Sequence, residues 1–143
     1  MKISDLAGQA DVTVDTVRHY VALGLLKPRR NPGNGYQEFS PRDLARLRFI
    51  RGARQLGFRL EDIQAIFADA ECGQSPCPRV RDLMAERLAE TRRRIDKLTL
   101  LCERMEGAME EWRNTPDSVP DGHSVCRLIE SRLAAPQPEQ SET

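Results

Sequence analysis

The sequence predicts a mostly α-helical protein: an N-terminal winged helix-turn-helix domain, a long antiparallel coiled-coil helix, and a short C-terminal loop and helix. Three observations support this prediction. Apolar residues repeat at heptad spacing over residues 78–113, two short helices and a basic hairpin precede them, and a turn-rich loop follows. We divide the chain into residues 1–70, a connector at 71–77, the long helix, the loop and helix at 114–133, and a disordered tail at 134–143.

The long helix determines the expected assembly. Its apolar residues lie mostly four and three positions apart and form a coiled-coil seam: Val80, Met84, Leu88, Ile95, Leu98, Cys102, Met105, Met109 and Trp112. With a rise of 1.5 Å per residue, the helix is roughly 54 Å long, and a small domain cannot cover a seam of that length. A second copy of the helix can cover it. We therefore expect a homodimer, with Cys102 as a small residue of the shared core.

Residues 1–26 predict a helix-turn-helix. Thr13 is a suitable N-cap for the second helix, which begins at Val14, and Gly24 ends that helix. The inward-facing residues of this second helix and its end are Val14, Val17, Val21 and Leu25.

Residues 27–40 combine a basic run with a cluster of turn residues. Asn34-Gly35 suits a hairpin turn, so this segment is the expected wing. Ser40 and Pro41 form an N-terminal helix signature, which predicts a third helix as far as Leu56. A fourth helix is expected from Leu60 to about Ala68.

The charges are unevenly distributed, although the formal net charge of the 143 residues is zero. Residues 1–59 contain 11 Lys and Arg against 5 Asp and Glu, whereas residues 60–143 contain 11 against 17. This asymmetry indicates a nucleic-acid surface in the first part of the chain. The outward residues of the predicted helix-turn-helix are of types that contact phosphates and base edges in the major groove of double-stranded DNA. The candidate DNA-contacting residues are Thr13, Asp15, Thr16, Arg18, His19, Tyr20, Arg29, Arg30, Asn34, Gly35, Tyr36 and Arg54.

The sequence contains neither an apolar run of transmembrane length nor the apolar core of a signal peptide. We therefore expect a cytoplasmic protein with no membrane partner. In a reducing compartment, the four cysteines favour metal binding or redox chemistry over a structural disulfide.

Candidate metal ligands lie at both ends of the long helix. Pro78 suits the first helical position, which places Cys77 at the N-cap, where the helix dipole favours a metal-binding thiolate. His123 and Cys126 are three residues apart at the start of the last helix, for which Ser124 is the expected cap. The expected packing side of that helix is Leu128, Ile129 and Leu133. In an antiparallel dimer, Cys77 of one subunit approaches His123 and Cys126 of the other.

The chain resembles the MerR family of metal- and stress-responsive transcription regulators. The matching motifs are "VTVDTVRHY…GLL", "NPGNGY" and "FSPRDLARLRFIRGARQLGFRLEDI", and the long helix extends the resemblance to about Leu133. It implies that Arg18 and Tyr20 contact an operator. It also implies that an activated dimer distorts the promoter spacer for RNA polymerase. Two positions depart from the usual pattern: His19, where a second Tyr is common, and Gln37, where Arg is common.

The resemblance also bears on the ligand. It implies that a Cys at position 77 is typical of regulators that answer divalent ions, and that Cys126 matches the last loop ligand. The family's first loop Cys is missing here, and His123, Asp121 or Cys72 are the candidates to replace it. Two Cys and one His favour Zn(II), with Cd(II), Pb(II), Hg(II) and Co(II) left open.

Two other readings use the same DNA-binding domain. In the first, the signal is oxidation of Cys77, with Cys72 or Cys126 as the resolving thiol. In the second, the protein is an architectural DNA-binding dimer that needs no ligand. An enzyme is not expected, because the sequence contains no nucleophile–base pair, phosphate loop or nucleotide-binding motif.

Overall fold

The computed structural model describes residues 1–133, so the predicted tail at 134–143 lies outside the described residues. The described part has six helices and two short strands: α1 (Ile3–Ala10), α2 (Val14–Ala22), β1 (Arg29–Arg30), β2 (Gln37–Glu38), α3 (Pro41–Gln55), α4 (Leu60–Glu71), α5 (Cys77–Trp112) and α6 (Arg127–Leu133). The prediction of a mostly helical fold is confirmed. Within residues 1–133, no helix is both long enough and apolar enough to cross a membrane. The chain divides into two compact units, Met1–Glu90 and Thr91–Thr143.

The N-terminal unit is organised around one apolar core. α1, α2, α3 and α4 all contribute buried side chains, and the largest fully buried ones are Leu6, Val17, Leu25, Leu26, Leu47, Ile50 and Ile63. Local capping sets where the helices begin. The hydroxyl of Thr13 accepts the amide of Thr16 at 3.1 Å, and the hydroxyl of Ser40 accepts the amide of Asp43 at 3.2 Å. The predicted helix-turn-helix is therefore present, with its apolar face inside.

The wing is an antiparallel hairpin in which Arg29 pairs with Glu38 and Arg30 with Gln37. The Asn34-Gly35 pair, which suits a hairpin turn, does not form a two-residue type I′ turn here. A two-residue type I′ turn needs positive φ at both central residues. Gly35 has a φ of 72°, but Asp11 is the only non-glycine residue in the described part with positive φ, so Asn34 does not meet this condition. The loop is wider, with the amides of Asn31 and Gly35 bonded to the carbonyls of Tyr36 and Asn31.

α5 begins at Cys77, one residue earlier than predicted, because the carbonyl of Pro76 already accepts the helical hydrogen bond from Val80. Cys77 is therefore the first helical residue instead of the N-cap. Val80 and Met84, which we assigned to the seam, pack against the core of their own N-terminal unit. The core of this unit covers part of both side chains, so the prediction that the whole seam needs a partner helix was wrong for these two residues.

The rest of the seam before Trp112 is exposed in the single chain, whereas Trp112 itself is half-buried. Leu88, Ile95, Leu98, Met105 and Met109 are between 47% and 63% exposed, and Cys102 is also exposed. An apolar stripe of this length is the feature that a second helix would bury.

In the second unit, α6 begins at Arg127, so Ser124 is not its N-cap as predicted. The carbonyl of Cys126 accepts the first helical bond, from Glu130. The indole nitrogen of Trp112 donates to the carbonyl of Leu128 at 2.9 Å, and Arg132 pairs with Glu111 at 2.8 Å. These contacts attach α6 to the end of α5. Of the predicted packing side of α6, Leu128 is half-buried, whereas Ile129 and Leu133 are exposed in the single chain.

Candidate nucleic-acid interface and metal ligands

The outward face of α2 is polar and exposed. Asp15, Arg18 and His19 point away from the core, and Arg18 donates to the carboxylate of Asp15 at 3.3 Å. Both side chains of this pair are largely exposed, so the ion pair contributes little and Arg18 remains available for another anion. Tyr20 differs from the others because it is half-buried and packs against the core. Only part of its side chain is therefore presented on this face.

A groove of about 710 Å³ lies between the start of α1, α2 and the wing. Three cationic side chains line it, those of Lys2, Arg18 and Arg30, together with Tyr36, which is 70% exposed. None of its lining residues in the described part of the chain is acidic. A concave surface with this charge is suited to a phosphate backbone. We call it the helix–wing groove.

The start of the chain is held against the wing, because the amide of Phe39 donates to the carbonyl of Met1 at 2.8 Å. This contact brings Lys2 beside the helix–wing groove, a position that we did not predict. The sequence around Lys2 does not indicate this position, because Lys2 is placed there by a contact between Met1 and Phe39, which are 38 positions apart.

Several arginines have structural partners. Arg30 donates to the carbonyl of Gly35 at 3.1 Å within the wing, and Arg54 to that of Phe58 at 3.2 Å beyond the end of α3. Arg51, next to the predicted contacts, donates to the carbonyl of Ala10 at 3.2 Å and so joins α3 to α1. DNA contact by Arg30 and Arg54 stays a prediction, whereas their protein contacts are observed.

The predicted wing contacts are exposed. Arg29, Asn34, Gly35 and Tyr36 lie on the surface, and the amide of Tyr36 is bonded to the side chain of Asn34 at 3.0 Å. At the start of α2, the hydroxyls of Thr13 and Thr16 are hydrogen-bonded at 2.8 Å in addition to the cap. These hydroxyls stabilise the start of the helix, so substitutions here would change both the cap and the surface.

Cys77 and Cys72 are exposed thiols at the two ends of the connector between α4 and α5. Cys72 follows the last residue of α4 and lies beside Gly73, whose φ is 76°. The amide of Cys77 donates to the hydroxyl of Ser75 at 3.3 Å. Both thiols are accessible to a metal or to an oxidant.

The terminal loop is held together by two carboxylates. Asp121 accepts the amides of His123 at 2.7 Å and Ser124 at 2.8 Å, and Glu130 accepts those of Val125 and Cys126, each at 3.1 Å. The His123 amide first, and the Ser124 amide second, hold the pKa of Asp121 below its usual value. These bonds use both carboxylates, and they place the half-buried Cys126 directly before α6 with the exposed His123 nearby in the chain.

No group of three or more His, Cys, Asp or Glu side chains within residues 1–133 is arranged to hold a metal ion. Residues 1–133 can therefore offer one thiol at the start of α5 and, separately, a thiol with an imidazole in the terminal loop, but they do not form a closed metal site within one chain.

Comparison with known proteins identifies the family. Residues 1–70 match the MerR HTH family of regulatory proteins, and residues 44–108 match the MerR DNA-binding family. The HTH-type transcriptional regulator HmrR of Rhizobium leguminosarum bv. viciae is 33% identical over 106 residues, which cover 74% of this chain and 81% of HmrR. The chain belongs to the MerR family.

Other MerR-family comparisons cover almost the whole chain. The HTH-type transcriptional regulator ZntR of Escherichia coli (strain K12) is 30% identical over 133 residues, covering 91% of this chain and 90% of ZntR. The crystal structure of PbrR691 from Ralstonia metallidurans CH34, in complex with lead(II), is similar with a TM-score of 0.73 and 26% identity, covering 92% of this chain and 98% of that one. The resemblance noted in the sequence is thus confirmed, and the protein is a DNA-binding transcription regulator of this family.

Proposed function

We propose that this MerR-family protein is a homodimeric regulator that responds to a divalent metal ion, with zinc favoured by its sulfur and nitrogen donors, and that it changes the shape of its promoter. The observation that carries the proposal is that the donors are divided between the two ends of one helix. Within residues 1–133, no single cluster holds three of them. A second chain that runs antiparallel would bring Cys77 to His123 and Cys126 of its partner.

The exposed seam of α5 supports the dimer. Its apolar residues from Leu88 to Met109 follow heptad spacing and are not covered within the described part of the chain. Burial of about half a dozen such side chains on each helix would supply the association free energy, at roughly 25 cal/mol for each Å² of apolar surface.

The DNA part of the proposal rests on α2 and the helix–wing groove. We propose that Arg18, His19 and the outer part of Tyr20 face the major groove, and that the wing with Arg29 and Arg30 contacts flanking phosphates. Thr13, Asp15, Thr16, Asn34, Gly35, Tyr36 and Arg54 complete the proposed DNA-contacting set. Activation would then consist of bending and untwisting an overlong promoter spacer for RNA polymerase.

The available donors fit a thiophilic or borderline cation. Cys77 is an exposed sulfur donor, Cys126 is a half-buried one, and His123 is an exposed nitrogen donor. Two sulfurs and one nitrogen favour Zn(II), and Cd(II), Pb(II), Hg(II) and Co(II) have compatible chemistry. The bound ion would supply one bridge between the subunits, while Asp121 and Glu130 keep the loop donors in place. Cys72, an exposed thiol at the start of the connector, is a further candidate donor.

The test is zinc binding to the reduced dimer, measured by competition with a chromogenic chelator. Cys77→Ser and Cys126→Ser should each lower the zinc affinity by at least about 100-fold, because each removes a side chain proposed to coordinate the metal directly. Cys102→Ser is the matched control, since Cys102 lies in the middle of α5. The metal proposal is wrong if the wild-type protein binds no thiophilic metal above the level of a Cys77→Ser, Cys126→Ser double variant.

A second candidate signal is oxidation, because the exposed thiols of Cys72 and Cys77 flank one short connector. A count of free thiols after peroxide treatment separates the oxidation hypothesis from the metal hypothesis. Loss of two thiols, prevented by Cys72→Ser or Cys126→Ser, would favour a disulfide with Cys77 over a metal bridge. If neither metal nor peroxide changes DNA binding or transcription, the ligand-independent architectural reading remains.

A further inference from the structure

Two arginine–carboxylate pairs join α4 to the first turns of α5. At one end, Arg87 donates to both oxygens of Asp62, at 2.8 Å from Nε and 2.8 Å from Nη2. At the other end, Arg79 donates to both oxygens of Asp69, at 2.7 Å and 3.1 Å. A bidentate pair restricts orientation as well as distance, because the guanidinium and carboxylate must be coplanar. We call these two contacts the inner and the outer fork.

The inner fork is buried. The side chains of Asp62 and Arg87 are only 4% and 12% exposed. Asp62 also accepts the backbone amide of Arg59 at 2.9 Å and so caps the start of α4. Glu90 extends the network, since it accepts from Arg87 at 2.8 Å and from Arg59 at 2.7 Å. Removing one partner would leave a buried charge without its counterion, so this fork resists opening.

Apolar packing fills the space between the forks. Ile63 and Ile66 of α4 are buried in the core, and Val80, Leu83 and Met84 of α5 pack against that core. Thus α4 and residues 77–90 of α5 belong to one compact unit although a short connector separates them in sequence. Packing of this kind sets the distance and crossing angle between two helices, and forks at both ends also fix their relative position along their axes.

We propose that the two forks are positioning elements for regulation, which make α4 and residues 77–90 of α5 move as one body. This inference rests on the proposed function, in which a ligand at Cys77 acts on the start of α5. With the forks intact, a displacement of α5 also moves α4. Because α4 shares its core with the helix-turn-helix, the displacement is passed on to that motif. Without the inner fork, the displacement is absorbed between α4 and α5. DNA affinity and ligand binding would then survive, but the ligand would no longer change the DNA.

The experiment compares the full-length wild type with Arg87→Met, which keeps the apolar stem and removes the fork. Asp62→Asn is the second variant, because it keeps the volume and an oxygen for the α4 cap. The matched control is Arg81→Met, since Arg81 is an exposed arginine on the same stretch of α5. The probe is Zn(II), added to protein bound to a duplex that the wild type selects from a random-sequence pool, with 2-aminopurine at its centre.

Three quantities are measured: affinity of the zinc-free protein for the duplex, zinc affinity, and the zinc-dependent change in 2-aminopurine fluorescence. We expect Arg87→Met and Asp62→Asn to reduce the fluorescence change at least about five-fold, the lower limit of a typical coupling. Their DNA and zinc affinities should stay within about three-fold of wild type, which a general loss of structure would not allow. Arg81→Met should match the wild type in all three.

The outcomes separate the two proposals. If wild type shows no zinc-dependent change, the proposed function fails, and this inference with it. If wild type responds and both inner-fork variants respond equally, the inference is overturned and the proposed function stands. If both variants lose DNA affinity as well as the zinc-dependent change in fluorescence, the forks act only by stabilising the fold, which also overturns the inference.

Discussion

The two compact units of this protein differ in how much of their apolar surface they bury. The unit Met1–Glu90 has a continuous core to which four helices contribute. Among the described residues beyond Glu90, Ala108 is the one buried hydrophobic residue, and Leu98, Met105, Met109 and others on α5 are exposed. The comparison shows that the first unit buries or partly buries most of its apolar side chains within itself. The second unit exposes apolar side chains along α5 that another helix could bury.

The largest expected effect comes from the core of the first unit. Leu47 is fully buried, so Leu47→Ala should lower the free energy of unfolding by about 2–5 kcal/mol. Urea unfolding followed by circular dichroism measures this change. Phe49→Ala is the control on the same helix, because Phe49 is 46% exposed and should cost clearly less. Equal losses would contradict the idea that burial of apolar side chains in the core is the main source of this unit's stability.

A substitution on the exposed seam of the second unit should weaken dimer association instead of lowering the stability of the fold. Leu98 is 60% exposed in the single chain and lies at the middle of the seam. Because a symmetric dimer contains the residue twice, Leu98→Ala should raise the dimer dissociation constant at least about ten-fold. Sedimentation equilibrium measures this constant, and Val119→Ala, in the exposed loop, should leave it unchanged. A monomeric wild type would remove the basis of the comparison.

A pH titration distinguishes the inner fork from ordinary surface charge. Hydrogen bonds from Arg87, and secondarily from the backbone amide of Arg59, hold the pKa of Asp62 below its usual 3.8, although burial acts in the opposite direction. Because the folded-state pKa is lower than the unfolded-state value, this contribution to stability is complete above the unfolded value and is lost as the pH falls through the folded value.

Wild type should therefore lose stability as the pH falls below about 4, and Asp62→Asn should lose less over the same interval. Urea unfolding between about pH 2 and pH 6 gives the two curves. Asp69 and Asp121, whose pKa values are also lowered, will keep some pH dependence in the variant. Parallel curves would mean that the fork does not contribute through the Asp62 carboxylate.

The smallest expected effect concerns the attachment of α6. Trp112→Phe removes the hydrogen bond to the carbonyl of Leu128 while keeping an aromatic ring, at a cost of about 0.5–1.5 kcal/mol. Amide hydrogen exchange should become faster in α6 and remain unchanged in α3. If exchange in α6 does not change, the indole bond is not what holds this helix.

Much of the fold followed from local signals. Thr13 and Ser40 marked the starts of α2 and α3, and the structure confirms both caps. The boundaries were less certain at α6, where Ser124 was a plausible cap but the carboxylate of Glu130 ties the loop and moves the helix start to Arg127. A cap is selected by competition between nearby acceptors, and the sequence shows the candidates without their geometry.

The candidate site was predictable to a different degree. The DNA-facing positions of α2 follow from helical periodicity, since Val17 is buried and its neighbours Arg18 and His19 are exposed. Lys2, by contrast, reaches the helix–wing groove only because Met1 pairs with Phe39. The metal ligands remain a prediction, since the proposed site needs two chains.

The sequence by itself determined the helices, the wing and the family, because caps, glycine turns and heptad spacing act between residues a few positions apart. Only the tertiary structure decided which side chains of α5 face the core of their own unit and which face outward. It also decided that Asp62 and Arg87, 25 residues apart in sequence, form a buried fork. The physical reason is that periodicity defines an apolar face of a helix, but a helix of this length has more of that face than one neighbour can cover. Which part of α5 packs against the core of its own unit depends on where the elements of that core lie, and their positions are set only in the folded chain.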